Sequence, residues 1–164
     1  MKAGRIVELF NAVFRRKYNT VLCGGASEPL YVPGGSYSSE PARLFFRSDY
    51  PRSALHEISH WCIAGSRRRK LVDFGYQYTP PPRSPAAQKH FFDLELQSQT
   101  LEYIFCEAVQ LKFSPSADNF KVNHETEAHY MQRIRENSVS WQRSGVKGDA
   151  GLFLVKLLTV EKAC

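Results

Sequence analysis

Long apolar runs are missing from this 164-residue chain. No stretch is apolar over the length a bilayer requires, which excludes a helical membrane span. A cleavable secretory leader is not expected either. Lys2 and Arg5 resemble a charged start, but Glu8, Asn11 and Arg15-Arg16-Lys17 interrupt any apolar segment behind them. Cysteine is scarce and scattered. Cys23, Cys62, Cys106 and Cys164 include no CxxC pair, so paired-thiol zinc modules are excluded. A chain this long can fold on its core alone, so these residues are expected as reduced thiols in a cytoplasmic protein. There is no internal repeat and no low-complexity tract, which excludes solenoids and fibrous folds.

What is present is the composition of one globular domain, with 43% hydrophobic and 23% charged residues. The formal charge is +6 and the pI about 9.2, which favours an acidic partner. Nucleic acid and an acidic protein both meet that condition. Direct nucleic-acid binding is not expected, because interleaved aromatic and basic clusters, finger spacing and a recognition helix are all absent.

Ile6, Val7, Leu9, Phe10, Val13 and Phe14 recur at helical spacing, which predicts a helix over 5–17. Short β-prone runs follow at 20–22, 30–32 and 43–46, divided by Gly24-Gly25 and Pro33-Gly34-Gly35. Pro51 and Ser53 open a second helix that should stop at Gly65. Leu71 to Tyr78 alternates as a strand would. Residues 85–93 read as a short helix, Leu94-Glu95-Leu96 as extended, and 101–111 as a further helix. A polar helix over 123–137 and an apolar one over 150–160 complete the chain. The expected architecture is a single α+β domain over 1–164, with a small sheet packed against helices and residues 121–164 helical.

The chemistry concentrates in Ser53-Ala-Leu-His56-Glu57-Ile-Ser-His60-Trp61. Four residues apart on a helix, His56 and His60 share one face and can hold one metal ion. Glu57 beside them can act as a base or a supporting group. The flanks Ala54, Leu55, Ile58, Trp61, Cys62, Ile63 and Ala64 make the helix apolar nearly all round, the mark of a buried helix. Buried His, Glu and His are costly unless paired or bound to metal.

A third ligand must come from elsewhere. The candidates are Glu95, Asp93, Glu102, His90, His124 and His129. Glu95 is flanked by Leu94 and Leu96, where a carboxylate without a partner is expensive. Asp93 and Glu102 read as exposed or capping groups, His90 as a surface residue, and His124 and His129 as parts of a solvated face. Glu95 is the choice. Two histidines and a carboxylate serve zinc peptidases, with Glu57 activating a bound water. They also serve non-haem iron(II) oxygenases, which leave positions open for dioxygen. Ligand type alone leaves both open.

The string Ala54-Leu-His-Glu-Ile-Ser-His-Trp-Cys-Ile-Ala-Gly65 resembles the bacterial elongation factor P hydroxylase family. The likeness continues through the arginine-rich stretch, Leu71-Val-Asp-Phe-Gly-Tyr76, Asp93-Leu-Glu-Leu96, Gln99-Thr-Leu-Glu-Tyr-Ile-Phe105 and Ser116-Ala-Asp-Asn-Phe120. It covers most of 6–120 and is looser over 121–164. Tyr76-Gln-Tyr-Thr-Pro-Pro-Pro-Arg83 departs from the family's Tyr-Trp-Tyr-x-Pro-Asp-Gly-Arg, and Gln97-Ser98 stands where Lys-Pro is usual. The resemblance implies hydroxylation of the β-lysylated lysine side chain of elongation factor P. It also implies Fe(II) on His56, His60 and Glu95, with dioxygen as co-substrate. Zinc can enter such a site in a preparation. No 2-oxoglutarate-anchoring pattern is evident. Arg67, Arg68 and Arg69 are expected to meet an acidic protein substrate, and Asp73, Tyr76 and Tyr78 to line its pocket.

Overall fold

A computed structural model describes residues 1–35 and 40–161, with the side chain of Glu161 left aside. Helix α1 (Ala3–Tyr18) turns Ala3, Ile6, Leu9, Phe10 and Phe14 inward, the stripe its periodicity predicts. Asn19 ends it in the left-handed conformation, φ 46°, a role that Asn tolerates better than other side chains. Three short strands follow: β1 (Thr20–Ala26), β2 (Leu30–Val32) and β3 (Ala42–Arg47). Their order is β1-β3-β2, with β1 parallel and β2 antiparallel to the central β3. Alternation buries Leu22, Tyr31, Leu44 and Phe46 on one face.

Helix α2 (Pro51–Arg68) starts with proline at its first position and is tied to β3 by the Arg47 amide donating to Ser53 Oγ at 3.0 Å. Gly65 (φ 62°, ψ −178°) breaks the helix where the sequence predicts a stop, and one further turn carries on to Arg68. The expected strand over 71–78 does not form. Asp73, Phe74 and Gly75 all have positive φ and fold Val72–Gly75 into a tight 3₁₀ turn. Two contacts hold that turn against β2. Phe74 stacks on Tyr31 at 4.3 Å, and the Tyr31 amide donates to Asp73 Oδ1 at 2.8 Å.

The two helices and extended link expected between 85 and 111 are one helix, α3 (Pro85–Ala108), capped by Ser84 accepting from the Ala87 amide. The hydroxyls of its polar middle are satisfied within the helix. Ser98 donates to the Glu95 carbonyl and Thr100 to the Leu96 carbonyl. The polar helix predicted over 123–137 runs further, as α4 (His124–Ser144), with Asn123 as its N-cap. It closes a small core of Phe91, Phe92, Ala117, Tyr130 and Ile134.

Helix α5 (Gly148–Glu161) brings Phe153 into the main core against Phe10, Phe14 and Phe105. Trp61 lies in the same aromatic cluster, fully buried. The result is an α+β fold of five helices and one three-stranded sheet among the described residues. Cys23, Cys62 and Cys106 are free thiols, and Cys164 lies outside the described residues. No described helix is long and apolar enough to cross a membrane.

Candidate metal centre

Helices α2 and α3 face each other in antiparallel sense, and their facing stripes carry a connected set of polar side chains. On α2, Arg52, His56 and His60 follow at intervals of four and share one face. On α3, Glu95, Gln99 and Glu102, spaced four and then three apart, share one face over two turns. Each apolar flank is packed: Leu55, Ile58 and Trp61 on α2, Leu101 and Phe105 on α3, all fully buried. The backbone therefore has little freedom to separate these polar side chains.

His56, His60 and Glu95 converge on one point. Their Nε2 atoms are 3.1 Å apart. Glu95 places Oε1 3.4 Å from His60 Nε2 and Oε2 3.7 Å from His56 Nε2. Ligands at about 2.1 Å from one ion, subtending near-octahedral or tetrahedral angles, lie roughly 3.0–3.5 Å apart. The observed spacings fit that range with a small contraction for the last. The donor set of two imidazoles and a carboxylate suits zinc and iron alike.

Glu102, expected at the surface, is buried at 2% exposure. Its Oε2 lies 2.9 Å from His56 Nδ1. Its Oε1 accepts two bonds from Arg52, at 3.1 and 3.2 Å. The carboxylate therefore holds a proton on His56 Nδ1 and leaves Nε2 as the nitrogen that faces the convergence point. Arg52 is braced in turn by the Ser114 carbonyl and the Phe113 ring. Gln99 donates to Ser116 and reaches Glu95 Oε2 at 3.5 Å. The Tyr78 hydroxyl donates a short bond to Glu95 Oε1. Arg52 and Gln99 are site residues that sequence reasoning missed, and Glu102, weighed there as a ligand, was set aside as an exposed or capping group.

The electrostatics follow from this wiring. Burial pulls the His56 imidazole down, but Glu102, with Glu57 and Glu95, outweighs it and lifts the group to about 10. Burial pushes Glu95 up, yet the charges of His60 and His56 hold it well below the carboxylate range. Burial raises Glu57, against the pull of His56 and His60. Glu57 makes no hydrogen bond or ion pair among the described residues, although it is only 9% exposed.

The convergence point opens on a cavity of about 1060 Å³ whose walls include Tyr76, Tyr78, Phe91, Asp73 and Glu57. Tyr76 and Tyr78 stack at 5.5 Å, and Tyr76 meets His60 edge-on. Arg83 pins the loop above α3 by bonds to the Thr79, Ala117 and Asp118 carbonyls.

The arginine run is placed differently. Arg67 is exposed. Arg68 stacks on Tyr76 at 3.7 Å and donates to the Phe74 carbonyl. Arg69 lies 3.3 Å above the Trp61 ring, donates to the Trp61 carbonyl and pairs with Asp149 at 2.8 Å. None of the three lines the cavity. Of the other ligand candidates, His90, His124 and His129 are exposed, and Asp93 pairs with Lys89 and Arg133 at the surface.

Two similarities accompany this geometry. A sequence model of the elongation factor P hydroxylase family matches residues 9–161. A protein of Haemophilus influenzae named elongation factor P lysine hydroxylase is 39% identical over 141 residues, covering 86% of this chain and 79% of that protein. Neither favours the zinc-peptidase alternative for the HExxH string.

Proposed function

The chain belongs to the elongation factor P hydroxylase family, and from that premise we propose that it hydroxylates a lysine-derived side chain of elongation factor P at the His56–His60–Glu95 centre. The observation that carries the site assignment is the convergence of two Nε2 atoms and one carboxylate on a single point inside a cavity. The substrate form is the β-lysylated lysine and the working metal is iron(II), with dioxygen as co-substrate and a two-electron reductant, so that one oxygen atom enters the side chain and the other leaves as water. Iron(II) supplies the oxygen-activating chemistry that places a hydroxyl on an unactivated carbon.

The chain's own residues do the rest. Glu102 holds a proton on His56 Nδ1, so that Nε2 is the nitrogen that gives up its proton and ligates. Tyr78 and Gln99 orient the Glu95 carboxylate. Tyr76, Tyr78 and Phe91 give the cavity aromatic walls suited to the methylenes of a long side chain. Of the basic run, Arg67 and Lys70 are the exposed members that would meet an acidic protein, since Arg68 and Arg69 are engaged in the fold. Residues 1–164 act as one hydroxylase domain in this reading. The free thiols agree with a reducing cytoplasmic compartment.

The test is mass spectrometry of β-lysylated elongation factor P incubated with the protein, iron(II), oxygen and an external two-electron reductant. The substrate should gain one oxygen atom. His56→Ala, His60→Ala and Glu95→Ala should each abolish that gain. Full activity in any of the three would remove that residue from the centre.

A further inference from the structure

Resting on the hydroxylase reading, we propose that Glu57 is the subsite for a substrate ammonium group, and therefore a specificity residue of this enzyme. The chain as a whole is basic, with a formal charge of +6. The cavity is the reverse: apart from its histidines, its lining carries six carboxylates and three cationic side chains. A cationic group is thus drawn into the cavity while an acidic protein body is drawn to the outside.

The buried carboxylates in that lining are Glu57, Glu95 and Glu102. Two are already committed. Glu95 faces both histidines and accepts from Tyr78. Glu102 is divided between His56 and Arg52. Glu57 is more than nine-tenths buried, lines the cavity, and has no hydrogen-bond or ion-pair partner among the described residues. A buried carboxylate without a partner is costly. An ammonium entering the cavity removes that cost and satisfies itself in one contact. Tyr78, stacked on Tyr76 and edge-on to Phe91, gives the alkyl chain an aromatic wall, while a face of Tyr76 is already taken by the Arg68 guanidinium. Glu57 follows His56 on α2 and lines the same cavity as the convergence point, so an ammonium held there keeps the rest of the side chain within that cavity.

The experiment compares the metal-loaded wild type with Glu57→Gln and Glu57→Asp. Each is measured on modified elongation factor P and on the same substrate with its side-chain amines acetylated. Glu57→Gln should raise KM roughly 10- to 100-fold, with a smaller change in kcat. Glu57→Asp, which keeps the charge, should recover part of the loss. Acetylation should penalise the wild type about as much as Glu57→Gln does, and should penalise Glu57→Gln little further. Bound metal and melting temperature should match the wild type in both variants. An unchanged KM in Glu57→Gln overturns the proposal, and so does a loss that follows bound metal instead of substrate charge. Binding of 1,5-diaminopentane by calorimetry separates this proposal from the reading beneath it. If the wild type, supplied with reductant, oxidises no form of elongation factor P, the hydroxylase reading fails. A diamine affinity lost in Glu57→Gln would still support the cation subsite, and equal affinity in both would sink it.

Discussion

Replacing Glu102 with glutamine is the most informative single change outside the three converging residues. The substitution keeps size and shape and alters only which atoms donate. Glu102 accepts at both oxygens, from Arg52 at 3.1 and 3.2 Å and from His56 Nδ1 at 2.9 Å. Glutamine has one acceptor and one donor end. If its carbonyl faces Arg52, its NH₂ faces His56 Nδ1. The imidazole proton must then move to Nε2, where it blocks coordination. If the carbonyl faces His56, the NH₂ abuts a guanidinium and the Arg52 charge loses its partner. Either arrangement forfeits a hydrogen bond to a charged group, worth about 1.5–3 kcal/mol. With a tenfold change per 1.4 kcal/mol, metal affinity should fall roughly 10- to 100-fold, the usual range for losing a carboxylate behind a metal-bound histidine. The assay is anaerobic titration with iron(II) or cobalt(II), followed by calorimetry or by the cobalt absorption bands. Glu102→Ala should be weaker still, because it also leaves Arg52 unpaired. An affinity for Glu102→Gln within twofold of wild type would refute the argument that this carboxylate sets the His56 tautomer.

Metal binding should release about one proton per ion near pH 8, because His56 is held protonated up to about 10 and must free Nε2 to ligate, whereas Glu95 is already ionised. Calorimetry in buffers of different ionisation enthalpy measures this, and a buffer-independent heat would contradict it. His56 is raised in the folded state, so its stabilisation of the metal-free protein is complete below the ordinary histidine value and is lost as pH rises through about 10. Asp149→Ala should cost about 2–3 kcal/mol. It strands the Arg69 guanidinium between Trp61 and Tyr18, and partial solvent access keeps the loss below that of a fully buried pair. A melting temperature lower by about 5–10 °C, with metal content unchanged, is the expected result. Phe153→Ala removes a fully buried ring that touches Phe10, Phe14 and Phe105, and should cost about 3–5 kcal/mol in chemical denaturation.

The parts of this fold that were legible in advance are those set by local period and local chemistry. Helix α1 shows its buried stripe directly, and His56 and His60 share a face by spacing alone. Glu95 could be picked out because leucines flank it, although its helix was not recognised. The break expected in α3 lay at Leu94-Glu95-Leu96, with the polar run Gln97-Ser98-Gln99-Thr100 separating it from the next apolar stripe. Three of those four are buried, with Ser98 and Thr100 bonded to their own helix and Gln99 to Ser116. The strand expected over 71–78 failed because its alternation is overridden by a stacked ring and one hydrogen bond from β2. Glu102 was misread because its partners lie 46 and 50 positions upstream. Pairing across two helices leaves no periodic trace.

The antiparallel α2–α3 pair has a consequence for engineering. Three converging residues, the carboxylate behind His56, the arginine behind that carboxylate and the amide beside Glu95 all come from two facing helical stripes. None of these six groups is supplied by the sheet, the turn or a loop. The smallest portable form of the centre is therefore a helical hairpin carrying Arg-x₃-His-x₃-His against Glu-x₃-Gln-x₂-Glu. A designed four-helix scaffold with that pair at its heart would keep the geometry while its loops were rebuilt for other long-chain amines.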